Sequence, residues 1–109
     1  MSYFCDVENR EGKEVAPGVV IRTFWADKML LSMVDLGARA VVPMHNHPHE
    51  QAGTVVNGRL QMTIAGETRW LEVGDTYIIP GGVDHMAAAG DEPCRVLDVF
   101  SPVREEYQY

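Results

Sequence analysis

The chain has few cysteines, few basic residues and no long apolar run, and each shortage removes a class of protein. Only two of its 109 residues are cysteine, Cys5 and Cys94, far apart and without Cys-x-x-Cys spacing. Neither a disulfide-dense scaffold nor a thiolate metal site is therefore indicated, although one Cys5 to Cys94 pairing stays open. No apolar stretch approaches the roughly 18 residues of a membrane-spanning helix, and residues 1–10 lack the basic start and apolar middle of a signal peptide. A cytoplasmic, reduced protein is the expectation. Lys and Arg number 9 against 16 Asp and Glu, a net charge of −7, which argues against duplex nucleic acid and anionic membranes as partners. A small anionic ligand held by one local cation remains compatible with that balance. Nothing repeats at a period of 20–50 residues and no low-complexity linker occurs, so residues 1–109 read as a single domain.

Turn residues, by contrast, are plentiful. Ten Gly and six Pro imply many short strands rather than a few long helices. The chain is 46% hydrophobic and 23% charged, enough apolar material for a real core. Residues 19–25 and 29–36 read as two strands joined at 26–28, and 39–42 as an extended piece stopped by Pro43. Residues 53–56 end in Asn57-Gly58, which predicts a type I′ hairpin. Leu60, Met62 and Ile64 alternate with Gln61 and Thr63, the pattern of a half-buried strand. Gly66-Glu67 turns the chain into 68–73, Gly74-Asp75 turns it into 76–79, Pro80-Gly81-Gly82 turns it again, and 95–100 is the final strand. Turn signals every eight to twelve residues, without a helical apolar stripe, predict an all-β sandwich or small barrel. Residues 102–109 form either a short helical turn or an ordered tail. The methionines are expected mainly in the core.

All four histidines lie between positions 45 and 85, and residues 43–51 read Pro-Met-His-Asn-His-Pro-His-Glu-Gln. In an extended segment His45 and His47 share a face. His85 follows the Pro80-Gly81-Gly82 turn, which can carry it back across a barrel. Three neutral imidazoles and an amide oxygen from Gln51 suit Zn, Ni, Fe, Mn or Cu and do not suit Ca or Mg. His49 falls in the bend at Pro48 and reads as a neighbour of the site rather than a ligand.

These motifs resemble the cupin family. His45, His47, Gln51 and Gly58 follow its first motif, and Gly74, Pro80, Gly82 and His85 its second. The resemblance implies a cupin double-stranded β-helix, a jelly-roll barrel, with metal ligands His45, His47, Gln51 and His85. There are departures. Gly37 lies two residues too far from His45, Ala89 replaces the usual Asn, and Gln51 stands at the carboxylate position, with Glu50 adjacent as the other candidate. An amide there leaves the ion's charge unneutralised, which favours polarisation of a bound oxygen and attraction of anions.

Residues 97–107, Leu-Asp-Val-Phe-Ser-Pro-Val-Arg-Glu-Glu-Tyr, look like the tail of the small pectin-degradation cupins. That resemblance implies a non-redox, metal-dependent lyase or isomerase-type enzyme that opens the ring of 4,5-unsaturated uronates. It implies Asp98 as the proton carrier, Phe100 against the sugar ring and Arg104 on the uronate carboxylate. A metal-dependent dioxygenase and a non-catalytic sugar-binding module are the competing readings. The N-terminal strands are expected to pair across a two-fold axis, giving a homodimer.

Overall fold

The structure, a computed structural model, describes residues 2–109. Ten strands follow one another: β1 (Lys13–Ala16), β2 (Val19–Trp25), β3 (Leu30–Leu36), β4 (Val41–His45), β5 (Glu50–Asn57), β6 (Leu60–Ile64), β7 (Glu67–Leu71), β8 (Thr76–Ile79), β9 (His85–Ala89) and β10 (Cys94–Ser101). They form a six-stranded sheet, β1-β2-β3-β10-β5-β8, and a four-stranded sheet, β4-β9-β6-β7. Every pairing is antiparallel. The all-β jelly-roll expectation therefore holds. A 3-10 turn, Glu105–Tyr107, closes the tail.

Alternation explains which faces meet. Along β3 and β10 every second residue is buried, as expected of strands with one face on a core. Val19, Ile21, Val34, Leu36, Val55 and Val96 from the larger sheet pack against Leu60 and Met62 from the smaller. Of the methionines, Met62 is in this core, whereas Met29 and Met44 are exposed. Cys5 is exposed and Cys94 buried, and both are free thiols, so the pairing left open by the sequence does not form.

The structure corrects three local expectations. Asn57-Gly58 does not close a hairpin, because β5 pairs with β10 and β8 whereas β6 pairs with β7 and β9. Only Gly58 of that pair has positive φ, 77°, and a Cβ there would lie 2.6 Å from the Pro93 carbonyl oxygen. The turn carries the chain from one sheet to the other. The hairpin with two positive φ values is instead Ala65-Gly66, at 50° and 82°, between paired Ile64 and Glu67, the geometry a type I′ turn requires. Pro43 does not stop its strand: Arg39 sits in a left-handed turn and β4 continues to His45. It can do so because β4 is an edge strand whose register shifts between Val42 and His45, the setting that tolerates a missing N–H.

Candidate metal centre and catalytic cavity

The register shift in β4 has a direct consequence, for it sets His45 opposite His85, the first residue of β9. His47 lies beyond β4, in the loop to β5. Its carbonyl accepts from the Gly82 N–H at 2.8 Å, which ties this loop to the turn before His85. A Cβ at Gly81 would lie 2.3 Å from the Pro48 carbonyl oxygen, so glycine is what lets the two loops approach. Their ring nitrogens converge: one from each of His45, His47 and His85 lies within 4.8 Å of the others.

The hydrogen bonds on the far side of each ring decide which nitrogen is free. His45 Nδ1 faces Pro43 O at 2.8 Å, His47 Nδ1 faces His49 O at 3.0 Å and His85 Nδ1 faces Val83 O at 2.8 Å. A carbonyl only accepts, so each Nδ1 carries the proton and each Nε2 presents a lone pair. His85 Nε2 is buried with no partner. Gln51 Oε1 lies 3.1 Å from His47 Nε2, which sets two acceptors against each other, and the Gln51 side chain also favours the Asp98 anion. Protonating the rings would not relieve this, because burial and the nearby Arg104 guanidinium push His47 down to about 4 and burial lowers His85. A cation among these lone pairs satisfies all of them, so the donor set fits a divalent transition metal. Gln51 is buried and Glu50 exposed, and His49 contributes its backbone carbonyl to orient His47.

Beside this cluster the larger sheet lays a polar row across the barrel interior. Thr23 faces Ser32, Ser32 faces Asp98, Asp98 faces Gly53 and Gly53 faces Tyr77 across β2, β3, β10, β5 and β8. Tyr77 donates to Asp98 Oδ1 at 2.5 Å by reaching over Gly53. Asp98 is 9% exposed, and burial raises it to about 6 although the Tyr77 hydroxyl, the Gln51 amide and Arg104 all favour its anion. Ser32, His45, Gln51, His85 and Asp98 line one cavity, closed on the tail side by Arg104 and Tyr107.

Arg104 is not a solvated tail residue. Its side chain is 11% exposed, Nε donates to Glu106 Oε1 at 2.6 Å, and the guanidinium lies 3.9 Å from the Tyr107 ring centre and 5.1 Å from that of Phe100, a stacked cation-π arrangement. Phe100 is 2% exposed and also packs edge-on against His47.

The cupin domain family, Cupin_2, matches residues 32–100, which include the histidine cluster, Asp98 and Phe100. The chain belongs to the cupin family. It is 29% identical over 107 residues to the pectin degradation protein KdgF of Dickeya dadantii (strain 3937), covering 96% of each chain. Among solved structures, KdgF from Halomonas sp. superposes with a TM-score of 0.88 at 30% identity, covering 97% of each. An RmlC-like cupin from Shewanella frigidimarina NCIMB 400 superposes with a TM-score of 0.91 at 25% identity, covering 98% of this chain and 96% of that one.

In this cupin six of the seven residues singled out in the sequence, His45, Gln51, His85, Asp98, Phe100 and Arg104, line one cavity, and the seventh, His47, joins it through the histidine cluster and Gln51. Sequence reasoning missed Tyr77, Gly53 and Ser32. For Gly53 a signal existed, since glycine inside a strand often marks close approach of another group. For Tyr77 and Ser32 none did, because their places follow from cross-strand register.

Proposed function

We propose that residues 1–109 form a single metal-dependent cupin domain that opens the ring of 4,5-unsaturated uronates to the linear keto form. One observation carries the reading: the three-histidine cluster, a buried carboxyl and a largely buried guanidinium meet at one cavity. The likeness to KdgF, whose Dickeya dadantii form is named a pectin degradation protein, supports it. His45, His47 and His85 through Nε2 and Gln51 through Oε1 would hold the ion, which would supply Lewis-acid polarisation of substrate oxygens.

Asp98 carries the proton. Raised to about 6, it can both take and return one near neutral pH. It removes the C1 hydroxyl proton as the C1–O5 bond breaks, C1=O and C5=O form, and C4 receives the proton from Asp98. No atom is gained or lost, so no co-reactant is needed. Arg104 has Nε committed to Glu106, which leaves its terminal nitrogens for a two-point contact with the uronate carboxylate. Phe100, packed between His47, Tyr107 and Arg104, braces these groups.

The test follows loss of enol-ether ultraviolet absorbance when unsaturated galacturonate meets metal-loaded protein. Wild type is expected to exceed the spontaneous rate, and Asp98→Ala to lose roughly 10²–10⁴-fold. A wild-type rate equal to the spontaneous one overturns the reading. Oxygen uptake with the same substrate would replace it with dioxygenase chemistry.

A further inference from the structure

Among the described residues, the buried side-chain atoms without a hydrogen-bond partner are Ser32 Oγ, His49 Nδ1 and His85 Nε2. The metal cluster accounts for His85. Ser32 is fully buried and lines the cavity beside Asp98, yet nothing described so far uses its hydroxyl. The other inward residues of β3 are Leu30, Val34 and Leu36, so an apolar side chain would suit the strand. Thr23, the next residue in the same row, shows what a structural hydroxyl looks like here: its Oγ1 donates to Tyr107 O at 2.6 Å. A buried hydroxyl left unpaired costs stability, and such a cost marks a group kept for a ligand.

The geometry around Ser32 says what that ligand offers. Ser32 and Asp98 are direct cross-strand partners, whose Cβ atoms lie roughly 4.5–5.5 Å apart in such pairs. One oxygen can therefore sit within hydrogen-bond reach of both. Tyr77 donates to Oδ1 of Asp98, and a carboxylate with about four acceptor sites can still take a further proton donor. The cavity volume is about 60 Å³, several times the ~10–15 Å³ that one water needs.

We propose that Ser32 is a specificity-determining residue whose hydroxyl, together with the Asp98 carboxyl, takes one hydroxyl group of a sugar substrate. Ser32 donates to the sugar oxygen and Asp98 accepts the sugar proton. A ligand lacking that hydroxyl leaves both buried groups unpaired, which is how a polar pocket rejects a deoxy analogue. The choice of a uronate rests on the function proposed above; the hydroxyl chemistry rests on the cavity itself.

The experiment compares wild type with Ser32→Ala in three measurements: thermal unfolding of metal-free protein, calorimetric binding of D-galacturonate to metal-loaded protein, and turnover of the unsaturated sugar. Ser32→Ala is expected to melt at or above the wild-type temperature, to bind galacturonate about tenfold more weakly and to lose about tenfold in kcat/KM. Ser32→Cys, of similar size with a weak donor, should fall between the two. A lower melting temperature for Ser32→Ala, or unchanged binding and turnover, overturns the assignment. Ser32-dependent galacturonate binding without turnover overturns the ring-opening reading and leaves Ser32 standing. A wild type that neither binds nor turns over uronates overturns both.

Discussion

Replacing Gly53 by alanine tests the central packing device of the cavity, and the two relevant effects have opposite signs. Gly53 lacks a positive φ, so its backbone accepts alanine, and on backbone entropy alone the change would stabilise by roughly 0.4–1 kcal/mol. The added Cβ, however, would lie 2.4 Å from Asp98 Oδ1, Tyr77 Cζ and the Tyr77 hydroxyl oxygen. Ordinary contact needs roughly 3.5 Å, so those two buried side chains must retreat by about 1 Å and their hydrogen bond must break. Overpacking of this kind costs about 1–3 kcal/mol, and a buried carboxyl that loses a donor costs about 1–3 kcal/mol more. The clash wins, for a net destabilisation of about 1–5 kcal/mol. At ~2.1 cal/mol/K per residue, 1 kcal/mol shifts the melting temperature of a domain this size by about 4 °C, so calorimetry of metal-free Gly53→Ala should show a drop of about 4–20 °C. Tyr77→Phe, which removes only the hydroxyl, should lose less stability than Gly53→Ala, and it should lower kcat more than it alters KM. A Gly53→Ala protein as stable as wild type would refute the reasoning, because Asp98 and Tyr77 would then not be held across that gap.

Three further outcomes are expected. In metal-free protein, His47 at about 4 contributes stability that is present above pH 6.5 and lost as pH falls to 4, whereas Asp98 at about 6 contributes stability present below pH 3.8 and lost as pH rises through 6. Each is worth on the order of 3 kcal/mol, so urea unfolding of Asp98→Asn between pH 4 and 6.5 should rise more steeply with pH than that of wild type; parallel curves would contradict this. Gln51→Glu should bind a divalent transition metal more tightly in a competition titration while losing tenfold or more in turnover, and retained turnover would count against Asp98 as the proton carrier. Finally, β1 is an edge strand of the larger sheet, and light scattering should give a homodimer of twice 12.1 kDa, with a monomer mass at micromolar concentration excluding that assembly.

Much of the fold is legible because alternation and turn chemistry are local. Strands 19–25 and 76–79 are found at their observed ends, and β3 and β10 within a residue of theirs. β9 escaped notice because His-Met-Ala-Ala-Ala carries little strand preference, and β1 because Lys-Glu-Val-Ala is largely exposed. The Asn57-Gly58 hairpin failed for a different reason. The dipeptide encodes a turn, but which strands it joins depends on β10, some forty residues later, inserting between β3 and β5. The site shows the same division. The histidine and glycine spacing is written along one stretch of chain, whereas the row from Thr23 to Tyr77 exists only after five strands have settled into register.

The amide at position 51 links the two halves of the site. A carboxylate there would lie against Asp98, which the Gln51 side chain contacts, and two carboxylates so placed cannot both ionise without cost. The buried acid would then be held protonated and lose its capacity to accept. With glutamine, the side chain presents an oxygen toward the histidine cluster and favours the anion of Asp98. The same residue thus keeps the proposed donor set neutral and supports the Asp98 anion. The protein's −7 charge is not concentrated at this pocket: among the described residues that line it, the charged ones are Asp98 and Arg104, and the Arg104 partner Glu106 lies on its tail side. Under the proposed function, an ion on these neutral donors and the Arg104 guanidinium, rather than the overall acidity, would draw a small anion into the cavity.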